Sequence, residues 1–198
     1  MSMPANLRSA LLYLALAVVL ALVPLTGGYV TGLAAEVLVF AIFAMSLDLL
    51  IGYTGLLSFG HAMFMGTAAY ACAHSAKAWG WNPEWAILFG TLCALLLAVV
   101  AGALAIRRQG IYFAMITLAL SQMMFFFYLQ TPFTGGEDGI QAVPRGPLFG
   151  FIDISDSGPM YVLVMAIFLV GFGLIWRIVH SPFGQVLKAI REIGRAHV

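Results

Sequence analysis

The sequence predicts an all-α, polytopic helical membrane protein, because it combines very few charges with long apolar segments. Of its 198 residues, 63% are hydrophobic and only 9% are charged, and the mean hydropathy is +1.02. Soluble domains carry about 25% charged residues, so most of this chain is expected to avoid water. No stretch has the composition of a nucleic-acid-binding patch. No Gly-rich loop ends in Lys-Ser or Lys-Thr, so the chain is not expected to bind ATP through a P-loop.

Six apolar segments are candidates for crossing the bilayer, which takes about 20 helical residues. In chain order they cover residues 9–25, 33–51, 56–76, 85–106, 111–129 and 160–179. The first is short and follows Arg8, as the apolar part of a signal peptide would. No small-residue cleavage site follows it cleanly, and more spans come after it. We therefore interpret it as a retained membrane anchor.

Positive charge predicts the orientation, with a cytoplasmic N-terminus. Six basic residues then lie on the cytoplasmic side and two outside, as the positive-inside tendency requires. The inner ones are Arg8, Arg107, Arg108, Arg177, Lys188 and Arg191, and the outer ones are Lys77 and Arg145. Residues 131–159 become the main external loop, which carries four acidic residues. Loops of this length usually have a function.

Residues 181–192 predict an amphipathic cytoplasmic helix after the last span. Ser181 can cap it, and Pro182 suits its first turn. One side is apolar and the other is polar. The apolar stripe consists of Phe183, Val186, Leu187 and Ile190, and the polar side of Gln185, Lys188, Arg191 and Glu192. Two interpretations stay open: the helix docks on a cytoplasmic partner, or it lies on the membrane surface.

A glycine-rich segment after the second span predicts a helix break or a close backbone approach. Its glycines are Gly52, Gly55 and Gly60. A break at membrane depth must be buried in protein or line a water-filled path, whereas the alternative is a tight cytoplasmic turn. Small residues at i+4 steps also predict close helix packing. They form two rows: Ser58, Ala62 and Gly66, and Ala94, Ala98 and Gly102.

Polar residues within the spans are candidates for the translocation path. Asp48 either lines it or is an interfacial helix-end residue, and His61 either carries a proton or is simply hydrogen-bonded. Thr117 and Ser121, one turn apart, either line a hydrophilic path or bond their own helix carbonyls. The complete set of path candidates is Asp48, Gly52, Gly55, Ser58, Gly60, His61, Thr117 and Ser121.

Catalytic and metal-binding patterns are missing from the sequence. There is no paired-carboxylate, nucleophile–base or HExxH arrangement, so we expect a protein that is not an enzyme and holds no cofactor. Cys72 and Cys93 lie inside apolar segments and match neither a disulfide framework nor metal-ligand spacing.

Four blocks of the sequence resemble ABC-transporter permeases for branched-chain amino acids. They are residues 44–70, 107–119, 134–140 and 181–192, in the order of the family. The resemblance implies an import subunit of the bacterial inner membrane. It implies as partners a second permease, ABC ATPase subunits that hydrolyse the ATP, and a periplasmic substrate-binding protein.

The resemblance also implies that residues 181–192 start the loop that contacts the ATPase. The coupling residues would be Ser181, Pro182, Phe183, Gly184, Leu187, Ile190, Arg191 and Glu192. Two alternatives stay open: a permease of the same family for urea or short amides, and an ion-coupled secondary transporter with Asp48 or His61 as its proton site.

The end of the chain departs from the family, whose permeases continue with several more spans. Residues 193–198 resemble the in-frame translation of a common sequencing-library adapter. We therefore interpret residues 1–198 as a single, incomplete ABC-permease transmembrane domain. For the same reason Arg195 is left out of the charge count.

Overall fold

A computed structural model describes residues 20, 22–107, 110–150 and 152–196 of the chain. After a 3₁₀ turn at Val23–Thr26, six α-helices follow one another. They are α1 (Gly28–Leu49), α2 (His61–Ala78), α3 (Pro83–Ala105), α4 (Ile111–Gln130), α5 (Ser157–Val179) and α6 (Pro182–Ala196). A two-residue antiparallel pair, β1 (Pro147–Leu148) and β2 (Ile152–Asp153), lies between α4 and α5. The predicted all-α membrane fold is confirmed.

Four helical segments in the described residues are long and apolar enough to cross a membrane. They are Gly28–Thr54, Pro83–Ala105, Ile111–Gln130 and Ser157–Val179. The predicted segment 56–76 forms α2 instead, an 18-residue helix that includes two histidines and Lys77. Of the predicted first span, residues 9–25, residues 9–19 and 21 lie outside the described residues. The count of six spans therefore stays a prediction.

A close helix crossing lies between α2 and α3, at Gly90. A Cβ added there would lie 2.5 Å from the Ala68 carbonyl oxygen and 3.1 Å from the Cys72 Cβ. Close packing was predicted elsewhere, at the rows that contain Gly66 and Gly102. At these two glycines the prediction is wrong, because a Cβ added at either meets nothing within 4 Å. Small residues at i+4 steps give a helix a smooth face, but they do not determine whether another helix lies against it.

A second helix pair, α1 with α5, holds the buried apolar core near the start of the described chain. Leu38, Tyr161 and Val164 are its buried members. The Tyr161 hydroxyl donates a hydrogen bond of 2.8 Å to the Leu20 carbonyl, as a buried tyrosine requires. Most other large apolar side chains are exposed, Leu96 by 67% for example, which suits contact with lipid.

The helix ends gather at two poles of the bundle. At one pole, Lys77 donates a hydrogen bond of 2.7 Å to the Gln141 carbonyl, and Gly146 lies beside Pro83. At the other pole, α6 contacts the end of α1 through Arg191 and Gly52. Lys188 and Arg191 therefore lie at the α6 pole, while Lys77 lies at the opposite one. Which pole faces the cytoplasm stays a prediction.

The segment between α4 and α5 is folded onto the pole that holds Lys77. Thr134 is fully buried, and its hydroxyl donates to the Tyr128 carbonyl at 2.5 Å. Near the other end of the segment, the Ser155 hydroxyl donates to Asp153 at 2.6 Å, and the Ser155 backbone N–H does so at 2.9 Å. These two hydrogen bonds lower the pKa of Asp153 below its ordinary value.

Candidate functional site

The glycine-rich segment interrupts the helix between α1 and α2. α1 runs into a π-helical turn, Leu50–Thr54, and ends at Gly55, whose φ of +72° is left-handed. Residues 55–60 are not helical, and α2 begins at His61. A left-handed backbone favours glycine because it has no Cβ to clash. π-Turns within helices occur often at functional sites, so this interruption is the first part of the candidate site.

The polar side of α6 rests on this π-turn. The Arg191 guanidinium donates a hydrogen bond to the Gly52 carbonyl, which is one of the carbonyls that a helix end leaves without a partner. The Lys188 ammonium lies 4.8 Å from the centroid of the Tyr53 ring, within the range of a cation–π contact. A Cβ added at Gly55 would lie 3.1 Å from Arg191 Cγ. Helix α6 and the glycine-rich interruption therefore contact each other directly.

The apolar side of α6 is left open. Phe183 is 62% exposed and Val186 is 54% exposed, while Leu187 is partly buried. Glu192 is exposed, and the side chain of Ile190 lies outside the description. Sequence periodicity predicts an amphipathic helix, but the side turned toward the protein is the basic one. The exposed apolar face is thus available for a partner.

The corner between α5 and α6 depends on Ser181 and Gly184. The Ser181 hydroxyl donates to the Ile178 carbonyl at 2.7 Å and accepts from the Gly184 N–H at 3.4 Å. Gly184 is buried, and a Cβ there would lie 2.6 Å and 2.7 Å from the carbonyl oxygens of Ile178 and Val179. Pro182 occupies the first position of α6. These residues fix the angle at which α6 leaves the bundle.

The non-helical residues 55–60 are tied to α4 through Thr117. The Phe59 N–H donates to Thr117 Oγ1 at 3.1 Å, and the Thr117 hydroxyl in turn donates to the Ala114 carbonyl at 3.0 Å. Gly60 packs here as well, since a Cβ added to it would lie 3.3 Å from the Thr117 Cβ. Ser58 is buried, and its hydroxyl accepts from the Gly60 N–H at 3.2 Å. Thr117 therefore binds the break as well as its own helix.

His61 and Asp48 lie in different surroundings. The His61 ring meets Phe43 and Phe64 edge-on, with centroids 5.9 Å and 6.3 Å away. Its Nδ1 is buried and has no hydrogen-bond partner among the described residues, so the expectation of a hydrogen-bonded histidine fails for that nitrogen. Asp48 is exposed, close to Gly52 at the end of α1.

Ser121 lines a cavity of about 240 Å³ between α2 and α4. Tyr70 and Tyr128 line it too, with their rings stacked 4.8 Å apart. The Tyr128 hydroxyl donates to Thr67 at 2.7 Å. Sequence reasoning missed both tyrosines, although a hydroxyl within an apolar span needs a polar neighbour. No group of three or more potential metal ligands occurs in the described part of the chain.

Comparison with known proteins identifies the family. Residues 29–196 match the family model for the permease component of branched-chain amino acid transport systems. The chain belongs to this family. The predicted resemblance is thereby confirmed, and permeases of this family are membrane transport components.

Two curated relatives carry the same description, high-affinity branched-chain amino acid transport system permease protein LivM. The protein from Escherichia coli (strain K12) is 24% identical over 178 residues, which cover 78% of this chain and 42% of that protein. The one from Salmonella typhimurium (strain LT2) is 24% identical over 183 residues, covering 81% and 43%. The chain thus spans less than half the length of these relatives. No solved structure matches it.

The match with the family runs through residue 196, as does α6. The adapter interpretation of residues 193–198 and the predicted roles of the site residues stay predictions.

Proposed function

We propose that this chain is a translocation subunit of an ATP-driven importer for branched-chain amino acids in a bacterial inner membrane. Membership of the permease family supports the class of cargo. The partners are ABC ATPase subunits that hydrolyse the ATP, a second permease subunit, and a periplasmic substrate-binding protein. The chain itself supplies the helices that the cargo passes between.

The observation that carries this proposal is the arrangement of α6. Its basic side chains, Arg191 and Lys188, hold the π-turn at the end of α1. Its apolar side chains, Phe183 and Val186, point away from the bundle and are exposed. An exposed apolar stripe on a helix favours docking into a groove on another protein. The helix therefore has one side for the ATPase and one for the membrane-spanning bundle.

Movement of α6 reaches the cargo path through two hydrogen bonds. Closure of the ATPase subunits on ATP displaces α6, and Arg191 passes the displacement to the Gly52 carbonyl. The adjoining residues 55–60 pass it to α4 through the Phe59 N–H and Thr117. ATP favours one arrangement of the ATPase subunits over the other. Binding and hydrolysis of ATP therefore shift α6, the end of α1 and α4 between a state open to the outside and a state open to the cytoplasm.

Acidic substitutions on the two faces of α6 test the proposal. Phe183→Asp with Val186→Asp places two carboxylates on the exposed apolar side. Gln185→Asp with Ala189→Asp is the matched control, since both positions are exposed but lie outside the stripe. The measurements are ATP-dependent leucine uptake and co-purification of the ATPase subunits. The first pair is expected to lower both at least about tenfold, while the control keeps both.

The outcomes separate the two interpretations of this helix. Normal uptake with Phe183→Asp and Val186→Asp overturns the docking role. Reduced uptake with the ATPase still bound indicates instead a helix that seats its apolar side in the membrane surface.

A further inference from the structure

The cavity between α2 and α4 contains polar groups that the protein leaves without partners. The side chains of Ser121 and Gln122 line it, and Gln122 is exposed. Neither side chain has a hydrogen-bond partner in the part of the chain that the structure describes. Gln122 lies about 16 Å along α4 from its first residue, at 1.5 Å per residue. That position is near the middle of the bilayer, where an unpaired amide facing lipid is costly.

The remaining lining is apolar or aromatic and carries no charge. Met63, Phe125 and Leu129 contribute apolar surface, and Tyr70 adds an aromatic ring with a hydroxyl. No Asp, Glu, Lys or Arg lines the cavity. A site without charged groups favours a ligand with no net charge. Its volume of about 240 Å³ is below the range of roughly 300–1,000 Å³ for drug-sized ligands, so the ligand is small.

We propose that this cavity is a binding station for a zwitterionic amino acid with a branched aliphatic side chain. This inference rests on the proposed function and assigns a place to its cargo. Ser121, Gln122 and the Tyr70 hydroxyl supply neutral donors and acceptors to the amino and carboxyl groups. Met63, Phe125 and Leu129 surround the aliphatic end.

The tight turn at residues 134–139 lies next to the two tyrosines that line the cavity. The Thr134 hydroxyl donates to the Tyr128 carbonyl, and a Cβ added at Gly139 would lie 4.0 Å from the Tyr70 hydroxyl. A Cβ at Gly135 would lie 2.3 Å from the Gly139 carbonyl oxygen, so the turn accepts only glycine there.

Filling the cavity from Gly66 tests the station. Gly66 lines the cavity, and a Cβ added there meets nothing within 4 Å, so the first carbon of a side chain enters open space. Gly102→Leu is the matched control, because Gly102 also lies within a helix with open space around it but does not line the cavity. Uptake of labelled leucine and valine is measured in cells that express the protein with its partner subunits and lack other transport for these amino acids.

Gly66→Leu is expected to abolish leucine uptake, whereas Gly102→Leu keeps it. Gly66→Ala adds one methyl group and leaves less room for the longer side chain of leucine. The ratio of the maximal uptake rate of leucine to that of valine is expected to fall about tenfold, which is the smallest discrimination that one methylene group usually gives. Gln122→Leu is expected to lower both rates about tenfold with unchanged amounts of protein in the membrane. Gly66→Ala and Gln122→Leu carry the test if Gly66→Leu fails to fold.

Failure of the proposed function and failure of the binding station alone give different results. If the unaltered protein takes up no leucine, the proposed function is overturned and this inference with it. If the unaltered protein takes up leucine, but Gly66→Ala leaves the leucine-to-valine ratio unchanged and Gln122→Leu leaves both rates unchanged, only the binding station is overturned.

Discussion

The guanidinium of Arg191 donates a hydrogen bond to the backbone carbonyl of Gly52, and this bond ties α6 to the end of α1. The two residues are 139 positions apart in the sequence. One belongs to the helix proposed to meet the ATPase, and the other to the π-turn that opens the helix break. The Arg191 side chain therefore links the proposed coupling helix to the bundle, beside the contact of Lys188 with Tyr53.

Removing this side chain is expected to uncouple hydrolysis from transport. A hydrogen bond to a charged group contributes about 1.5–3 kcal/mol, so Arg191→Ala should lower leucine uptake roughly tenfold or more. ATP hydrolysis by the assembled complex should continue, because the exposed side of α6 is unchanged. Arg177→Ala, in the last turn of α5, is the control and should leave uptake intact. Coupled uptake at the normal rate in Arg191→Ala would show that the bond transmits nothing.

Gly184→Ala is expected to open the corner between α5 and α6. The added Cβ would lie within 2.7 Å of two carbonyl oxygens of α5, a contact that the backbone must move to relieve. Overpacking of this kind costs about 1–3 kcal/mol. Thermal unfolding in detergent should show a lower Tm, and co-purification of the ATPase should weaken. Gly173→Ala, in open space on α5, is the comparison; equal Tm values for the two variants would contradict the account.

Thr117→Val is expected to loosen the break without changing the shape of the side chain. The Phe59 N–H loses its acceptor in a part-buried hydrogen bond, and a typical intramolecular hydrogen bond contributes about 0.5–1.5 kcal/mol. Hydrogen exchange at the Phe59 amide should become faster, and Thr117→Ser should restore it. Thr91→Val removes a hydroxyl that bonds only its own helix and should leave that amide unchanged. Unaltered hydrogen exchange at the Phe59 amide in Thr117→Val would show that Thr117 does not link residues 55–60 to α4.

Gly90→Ala is expected to push α2 and α3 apart. Its Cβ would lie 2.5 Å from the Ala68 carbonyl oxygen, whereas the same substitution at Gly102 in the same helix meets open space. The Tm of Gly90→Ala should therefore fall below that of Gly102→Ala. If both variants unfold at the temperature of the unaltered protein, the α2–α3 crossing does not depend on Gly90.

Local features of the sequence predicted much of the fold. Apolar segments predicted the helices because a helix in lipid pairs its own backbone groups. The glycines from 52 to 60 predicted the interruption before α2, and the periodicity of residues 181–192 predicted α6. Each of these three features depends on residues that are close together in the sequence, so each can be predicted from one sequence.

Long-range contacts were beyond such reasoning. The periodicity of α6 shows that it has two faces, but not that Arg191 would meet Gly52. The spacing of small residues likewise did not single out Gly90, because a close crossing depends on both helices. The cavity was missed for the same reason, since Tyr70 and Tyr128 are far apart in sequence and become neighbours only when α2 and α4 pack.

Uptake of labelled leucine into proteoliposomes that contain this protein with its partner subunits tests the central claim most directly. The account predicts uptake that requires ATP and continues after the proton gradient is collapsed. Uptake without ATP that stops when the gradient collapses would contradict it, and would indicate an ion-coupled transporter with Asp48 or His61 as the proton site.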